Sequence, residues 1–259
     1  MQPVFPQVIV VHGPAGGVGK TLIALHLAYL YAQKGCTTVL VDLSQYGAVA
    51  PWLRLPRDTS SGLAGLLTTG NTAIAHLRTA LVPAPGAGDL LQVVLSSGPA
   101  KMDQVKATEV EALLRQLAAL AQVVIVDTGS ELTERTLGAL LGATRIALTI
   151  SPKVITGWQT LELLDLLRSA HVGRERMGVV FSRVQPGSKY GRAEYEQVIG
   201  LPVLGTIPEA AELLTAAELG GPPNLRKHGS GMLALRQLAH QLVPIFGPKE
   251  LKRPWPWSR

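Results

Sequence analysis

Short apolar runs alternate along this chain with longer segments of helical spacing. Continuous apolar runs are typical of strands that are buried on both faces of a sheet. They cover residues 7–13, 37–44, 90–98, 122–129, 144–151, 176–184 and 202–209. Helical patterns cover residues 21–35, 104–121, 156–170, 191–199, 209–219 and 230–246. The alternation predicts an α/β fold, a doubly wound, mostly parallel sheet of about seven strands with helices on both faces.

One domain followed by a short tail accounts for the length of the chain. The 259 residues are 47% hydrophobic, which is enough to bury one full core. This composition excludes a disordered chain. We place the domain at residues 1–247, because core-type strands continue on both sides of the Pro/Gly-rich segment 82–88. That segment is interpreted as a surface loop. Residues 248–259 form a basic tail that is rich in Trp and Pro.

The segment GPAGGVGKT, residues 13–21, joins the first predicted strand to the first predicted helix. Its glycines would let backbone N–H groups converge on phosphate oxygens at the helix N-terminus. Lys20 offers a cation to the β- and γ-phosphates, and the Thr21 hydroxyl offers a ligand to Mg²⁺. An ordinary glycine-rich turn is the alternative, but the strand before and the helix after favour a nucleotide-phosphate site. The predicted nucleotide-binding residues here are Ala15, Gly16, Gly17, Val18, Gly19, Lys20, Thr21 and Leu22.

Two aspartates end apolar runs, Asp42 in TVLVD and Asp127 in VVIVD. Carboxylates at the carboxyl ends of strands beside a phosphate loop can orient Mg²⁺ and its water ligands. Each aspartate alone could be a loop cap. Together with the loop they predict a metal site formed by Thr21, Asp42 and Asp127, with Lys20 and Asp42 as the catalytic residues.

The net charge of +6 lies mostly in the second half of the chain. A basic region there contains Arg168, Arg174, Arg176, Arg183, Lys189 and Arg192. Such a region can bind nucleic acid or anionic lipid. A solvated basic face is the alternative, and the scarcity of aromatic residues among these charges favours it.

The remaining features exclude several classes of protein. The single cysteine, Cys36, cannot form an intrachain disulfide, and we expect it to be a buried structural thiol. The first residues have no basic segment followed by an apolar one, as a signal peptide would, and no apolar run is long enough to span a membrane. A cytoplasmic location is expected, with peripheral contact at the membrane or cell pole as an alternative.

The motifs GPAGGVGKT, VLVDLSQYGA, VVIVDTG and VLGTIPE resemble those of the MinD/ParA family of deviant Walker-A ATPases, which are SIMIBI-type P-loop NTPases. The resemblance covers roughly residues 7–245. The segments at 42–56 and 96–105 are most similar to the CpaE/TadZ branch, which positions pilus machinery. The resemblance implies ATP/ADP and Mg²⁺ as cofactors, a homodimer around two nucleotides, and further nucleotide contacts from Arg183 and Pro208.

Four positions depart from the family pattern. The signature lysine falls at Ala15, the second aspartate of switch I at Ser44, the adenine-reading asparagine at Ser182, and the proline after the Walker B motif at Gly129. Loss of a water-positioning carboxylate costs orders of magnitude in rate. Backbone N–H groups and Lys20 would still bind phosphate. The resemblance therefore implies a bound nucleotide that is hydrolysed slowly or not at all.

Lys153 follows a predicted strand at the rim where ligands gather in such sheets. It is a candidate to replace the signature lysine, as a comparable lysine does in relatives that position carboxysomes, and an exposed loop lysine is the alternative. Glu131 and Glu134 are interpreted as acids of a first helical turn.

Three functions remain open at this point. The first is nucleotide-dependent positioning with a protein partner such as pilus machinery. The second is a ParA-type partition ATPase that binds nonspecific DNA or positions a cargo such as carboxysomes. The third is a metabolic P-loop enzyme, for which no convergent set of acids and bases is visible. The Trp-rich tail adds peripheral membrane contact as an option.

Overall fold

The computed structural model describes residues 5–56, 62–68, 74–185, 192–226 and 228–246. Its eight strands are β1 (Gln7–His12), β2 (Thr38–Asp42), β3 (Val82–Pro83), β4 (Leu91–Val94), β5 (Val123–Asp127), β6 (Arg145–Ile150), β7 (Met177–Val184) and β8 (Val203–Pro208). They form one sheet in the order β3-β4-β2-β5-β1-β6-β7-β8. All neighbours are parallel except β3 and β4.

Helices cover both faces of this sheet. They are α1 (Lys20–Gln33), α2 (Val49–Trp52), α3 (Leu63–Thr68), α4 (Ile74–Ala80), α5 (Pro99–Met102), α6 (Ala107–Leu120), α7 (Glu134–Gly142), α8 (Val154–Ser169), α9 (Arg192–Ile199), α10 (Ala211–Leu219) and α11 (Ser230–Leu242). One hydrophobic core lies between the sheet and α6–α9, and a second lies between the sheet and α1, α10 and α11. The predicted doubly wound α/β fold is confirmed.

The structure adds elements that the sequence patterns did not predict. The eighth strand, β3, lies in the predicted loop 82–88 and pairs antiparallel with β4 at the edge of the sheet. Proline is tolerated there because an edge strand leaves one side without ladder bonds. Helices α2 and α5 are single turns, too short to show a helical period.

The strand order places the phosphate loop at the centre of the sheet. It follows β1, which lies between β5 and β6. Asp42 and Asp127 occupy paired positions at the ends of the neighbouring strands β2 and β5. The predicted functional residues at these three strand ends are therefore brought to one edge of the sheet.

Several other predictions can be compared with the structure. Cys36 is a buried free thiol, as predicted. None of the helices in the described ranges is both long and apolar enough to cross a membrane. The tail at residues 248–259 and Lys189 lie outside the described residues.

Candidate functional site

The loop between β1 and α1 has the backbone conformation that its glycines allow. Gly17 and Gly19 have φ of 70° and 89°, in the left-handed region that other residues rarely adopt. A side chain on Gly13 would collide with the carbonyl oxygen of Thr149 on β6. The space around Gly16 is open, so its backbone can be approached from the cleft. The loop is thus shaped for close contact between backbone and ligand.

Lys20 and Thr21, the first residues of α1, are held by hydrogen bonds inside the site. The Lys20 ammonium donates to the carbonyl oxygen of Ala15 at 2.6 Å. Burial lowers the pKa of Lys20, and the charge of Asp127 opposes that shift. The Thr21 hydroxyl donates to Asp127 Oδ2 at 2.6 Å. Lys20 therefore lies folded against its own loop, and Thr21 is joined to Asp127 by a hydrogen bond.

Asp127 is fully buried and only partly satisfied. Its Oδ1 has no hydrogen-bond partner among the described residues. Burial, followed by the charge of Asp42, raises the pKa of Asp127 to about 7, although the Thr21 hydrogen bond and the charge of Lys20 act in the opposite direction. A buried carboxylate oxygen without a donor, next to a hydroxyl, is suited to a hard cation or its water ligands. These residues fit Mg²⁺.

Asp42 is equally buried, but both of its oxygens are occupied. Oδ1 accepts from the Ser44 backbone N–H at 3.0 Å and from the Ser44 hydroxyl at 2.5 Å, and Oδ2 accepts from the Val49 N–H at 2.9 Å. Burial raises the pKa of Asp42, and these hydrogen bonds oppose the shift. The loop-cap interpretation of Asp42 thus describes this structure, in which the carboxylate holds the loop from Ser44 to α2.

A cleft of about 730 Å³ opens above these residues. Eight of the predicted binding residues line it: Gly16, Gly17, Gly19, Lys20, Thr21, Leu22, Arg183 and Pro208. Ser44 and the segment 128–131 form another wall. Ala15, Val18, Asp42, Asp127 and Lys153 are not among the lining residues, and both aspartates lie buried at neighbouring strand ends.

Comparison with known families assigns residues 9–223 to the CobQ/CobB/MinD/ParA nucleotide binding domain. The chain belongs to this family. A ParA family ATPase of Chlorobium tepidum has a similar fold, with a TM-score of 0.79 at 19% identity over 90% of this chain and 98% of that one. The MinD protein of Pyrococcus horikoshii, solved in complex with Mg-ADP, gives 0.77 at 17% identity over 91% and 95%. An uncharacterized ATP-binding protein of Methanocaldococcus jannaschii is 23% identical over 92% of this chain and 88% of its own length.

In this CobQ/CobB/MinD/ParA domain, one end of the cleft is formed by the carboxyl ends of β7 and β8. Arg183 has a φ of 56°, which is uncommon for a residue other than glycine. Its guanidinium donates to the Gly17 carbonyl at 3.0 Å and to Glu209 Oε1 at 3.1 Å. Gln185 donates to the other oxygen of Glu209 at 2.7 Å. Arg183, at the end of β7 where the family pattern has its Asn-Lys/Arg pair, therefore connects the phosphate loop to Glu209, which follows β8.

Lys153 lies at the edge of this region and not in the cleft. It is exposed and immediately precedes α8. Hydrogen bonds from Gln185 and Arg183 lower the pKa of Glu209, and the charge of Lys153 contributes in the same direction. Lys153 therefore has a weak electrostatic effect on Glu209, which lines the cleft.

Arg135 is a buried cation that the sequence patterns did not identify. Its guanidinium donates to the carbonyl oxygens of Leu43 and Met102, both at 3.1 Å, and lies 3.6 Å from Asp103. Arg135 also lines the cleft. Its sequence signal is weak, because Arg135 stands between Glu134 and Thr136 in the polar first turn of α7, ERTLGALLG. It ties α7 to the residue that follows Asp42.

The arginines of the predicted basic region are engaged within the domain. Arg174 donates to the carbonyl oxygens of Ile199 and Gly200, and Arg176 to those of Leu141 and Ala143. Among the described residues, ion pairs on this region are Arg168–Asp165, Arg176–Glu175, Arg183–Glu209 and Arg192–Glu196. These contacts favour the interpretation of the region as a structural, solvated face.

Proposed function

We propose that this protein is a nucleotide-dependent positioning protein that binds Mg-ATP or Mg-ADP in the 730 Å³ cleft and hydrolyses ATP slowly. The backbone of residues 15–19 and the Lys20 ammonium bind the phosphates. Lys20 releases the Ala15 carbonyl, which it contacts in the structure, to make this interaction. Arg183 and Pro208 lie at the other end of the cleft, where they contact the base.

Thr21 and Asp127 would hold the Mg²⁺ of the nucleotide. Their arrangement supports this role, because Asp127 Oδ1 is buried without a donor and Oδ2 already contacts the Thr21 hydroxyl. Bound Mg²⁺ would supply positive charge that neutralises the phosphate oxygens. Asp42 joins the site only if the loop that it caps rearranges.

Slow hydrolysis is supported by the hydrogen bonds of Asp42 and Ser44, which are made to each other and to the loop that follows them. A residue that activates water needs a free acceptor oxygen, and a positioned base contributes about 10²- to 10⁴-fold to rate. The oxygens of Asp42 accept from Ser44 and Val49, and the Ser44 hydroxyl donates to Asp42 while accepting from the Ala48 N–H. In this conformation each of these oxygens already accepts at least one hydrogen bond, and the Asp42 carboxylate is fully buried, so bulk water does not reach it.

A site that hydrolyses ATP slowly suits a protein that acts through its nucleotide-bound state. It does not suit one whose role is to release a product quickly. We infer a homodimer around two nucleotides that recruits a protein partner of a localised assembly, in the manner of CpaE/TadZ proteins of pilus machinery. The resemblance of residues 42–56 and 96–105 to segments of that branch supports this choice, and so does the absence of the signature lysine at Ala15, which is common in that branch. The ParA-type alternative has less support, because Arg174 and Arg176 are committed to internal carbonyl groups.

The proposal is tested by titrating the full chain with ATP and with ADP while measuring binding, phosphate release and molecular mass. We expect saturable Mg²⁺-dependent binding of both nucleotides, weak turnover, and a shift from monomer to dimer with ATP. Absence of nucleotide binding would contradict the function. Brisk turnover without a mass change would instead indicate a metabolic enzyme.

A further inference from the structure

The end of the cleft formed by β7, β8 and α10 differs in character from the phosphate loop. Polar side chains at this end belong to Ser182 and Arg183 on β7, to Glu209 after β8, and to Glu218 on α10. Apolar side chains belong to Ile207, Pro208, Ala210, Leu213, Leu214 and Ala217. A nucleotide whose phosphates lie on residues 15–19 places its base at this end. The hydrogen-bonding groups here therefore determine which bases the cleft accepts.

Arg183 and Glu209 are bonded to each other and to the protein around them. The Arg183 guanidinium donates to Glu209 Oε1 and to the Gly17 carbonyl, and Gln185 donates to Glu209 Oε2. The remaining N–H groups of Arg183 can only donate, and every nucleobase carries an acceptor. The pair holds the end of β7 to the end of β8 and is not arranged to recognise one particular base.

Ser182 is the buried polar residue at this end of the cleft. It packs against the phosphate loop, because a side-chain carbon on Gly19 would lie 3.2 Å from the Ser182 hydroxyl oxygen. A serine hydroxyl is one donor and two acceptors, and it rotates to suit its partner. It can therefore donate to a ring nitrogen or a carbonyl oxygen of a base, or accept from an amino group.

Backbone groups beside the apolar surface are used within the protein. Pro208 has no N–H group, and the Glu209 N–H donates to the Val184 carbonyl at 3.0 Å. The Ala210 carbonyl accepts from N–H groups in the first turn of α10. These bonds stabilise the connection from β8 to α10 and do not present a donor–acceptor pattern to a base.

The main contact surface for the base is apolar. Ile207 and Pro208 end β8, and Leu213 and Leu214 continue the surface along α10. Glu218 is exposed to solvent, where water competes for its hydrogen bonds. Contact with a flat surface tolerates different bases, because every base has a π-face. A site that hydrogen-bonds one particular group rejects ligands without it by about 10⁴- to 10⁵-fold, whereas an apolar pocket discriminates weakly.

We propose that this cleft selects its ligand by the phosphates and not by the base, so that purine and pyrimidine nucleoside triphosphates bind with similar affinity. This inference rests on the proposed function, which places the phosphates on residues 15–19 and Mg²⁺ at Thr21 and Asp127. Ser182 is the residue that sets the tolerance, since its hydroxyl donates or accepts according to the base that it meets.

The test is isothermal titration calorimetry of the full chain with ATP, GTP, CTP and UTP, each with Mg²⁺, and with inorganic tripolyphosphate. We expect the four nucleotides to bind within about tenfold of one another, far less than the discrimination of a site that recognises one base by hydrogen bonds. Tripolyphosphate should bind more weakly than all four, because it has no base to contact the apolar surface. A preference above that range for any one nucleotide would overturn the proposal, and so would tripolyphosphate that binds as tightly as the nucleotides.

Two variants assign the tolerance to particular residues. Ser182→Asn introduces an amide, which can pair with N6 and N7 of adenine, and should raise the preference for ATP over the other three nucleotides about tenfold. Ser169→Asn is the matched control, because it makes the same change at an exposed position of α8 outside the cleft. Leu214→Ser, at a position that is 39% exposed, should weaken all four nucleotides by about fivefold and leave tripolyphosphate unchanged.

The variants can also contradict the proposal. An unchanged nucleotide preference in a folded Ser182→Asn protein would do so, as would a loss in Leu214→Ser that is absent or confined to one nucleotide. If circular dichroism shows that Ser182→Asn does not fold, Leu214→Ser decides the question. No binding of any nucleotide or of tripolyphosphate would refute both this inference and the proposed function. A strong preference for ATP would remove this inference alone and leave the proposed function intact.

Discussion

The ends of strands β2 and β5 carry aspartates in paired register, yet the two carboxylates have different surroundings. Asp127 has one oxygen on the Thr21 hydroxyl and one with no partner among the described residues. Asp42 has both oxygens bonded within residues 42–49. The two side chains are equally buried and close enough for the charge of Asp42 to raise the pKa of Asp127. Strand position alone therefore does not decide whether an aspartate is available to a ligand.

The loop that follows each strand makes the difference. After Asp127 the chain continues through Gly129, whose φ is 74°, and Oδ1 of Asp127 keeps no hydrogen-bond partner among the described residues. After Asp42, Ser44 bends back and the loop runs directly into the first turn of α2, so that backbone N–H groups point at the carboxylate. The first arrangement leaves an acceptor for a ligand, and the second uses its acceptors to stabilise the protein.

Removal of Lys20 tests the assumption behind this comparison, namely that the ends of β2 and β5 face a bound nucleotide. Lys20→Ala should reduce ATP and ADP affinity on the order of a hundredfold or more, because it deletes a buried cation that makes charge-assisted contacts with phosphate. Isothermal titration calorimetry measures this. Lys101→Ala, on an exposed lysine, is the control and should bind normally. Equal affinity in both variants would show that the loop assignment is wrong.

Replacing Asp42 and Asp127, one at a time, by asparagine tests whether the two carboxylates have different roles. Asp127→Asn should weaken Mg-nucleotide binding about tenfold or more, since it removes a charged ligand, and should change stability little because an unpaired buried charge is also removed. Asp42→Asn should instead lower the free energy of unfolding by about 1–3 kcal/mol, since an amide cannot accept from every donor around it. Urea unfolding and nucleotide titration of both variants measure the two effects. If both variants lost the same amount of stability, the proposed difference between a ligand-binding Asp127 and a structural Asp42 would be wrong.

Substitution of Ser44 tests whether the hydrogen bonds around Asp42 limit the rate of ATP hydrolysis. Ser44→Asp restores the family residue and should raise ATP hydrolysis, at some expense of stability, because a second carboxylate then lies beside Asp42. Ser44→Ala should cost about 1 kcal/mol of stability through the lost hydroxyl contacts and leave turnover low. Phosphate release by both variants gives the answer. Turnover that stays low in Ser44→Asp would mean that Asp42 and Ser44 do not set the rate.

Lys153 provides the smallest expected effect, because it acts outside the cleft. We predict that in an ATP-bound dimer it reaches the partner's nucleotide and replaces the missing lysine at Ala15. Lys153→Ala should leave ADP binding by the monomer nearly intact and weaken ATP-dependent dimerisation by about tenfold, the cost of one charged contact. Analytical ultracentrifugation with ATP measures this, with Lys101→Ala as the control. Normal dimerisation of the variant would exclude the role.

The features that sequence predicted correctly are local or periodic. The loop of residues 13–19 is marked by its glycines between a strand and a helix, and the buried strands appear as continuous apolar runs. The partners of Asp42, by contrast, depend on the path of residues 43–49, and those of Arg135 on where α5 and α7 pack. The left-handed backbone of Arg183 has no sequence signal of the kind that glycine gives. Tertiary packing determines these features, so motif spacing could not predict them.

The most direct test of the central claim is the rate at which ATP bound to the intact protein is hydrolysed with Mg²⁺ present. A single-turnover experiment with protein in excess over radiolabelled ATP gives this rate without a contribution from product release. The arrangement of Asp42 and Ser44 predicts that ATP is bound completely and hydrolysed far more slowly than the median enzyme turnover of about 10 per second. Hydrolysis of the bound ATP at about that rate would contradict the account, because Asp42 is fully buried and its carboxylate and the Ser44 hydroxyl are bonded within the loop of residues 42–49.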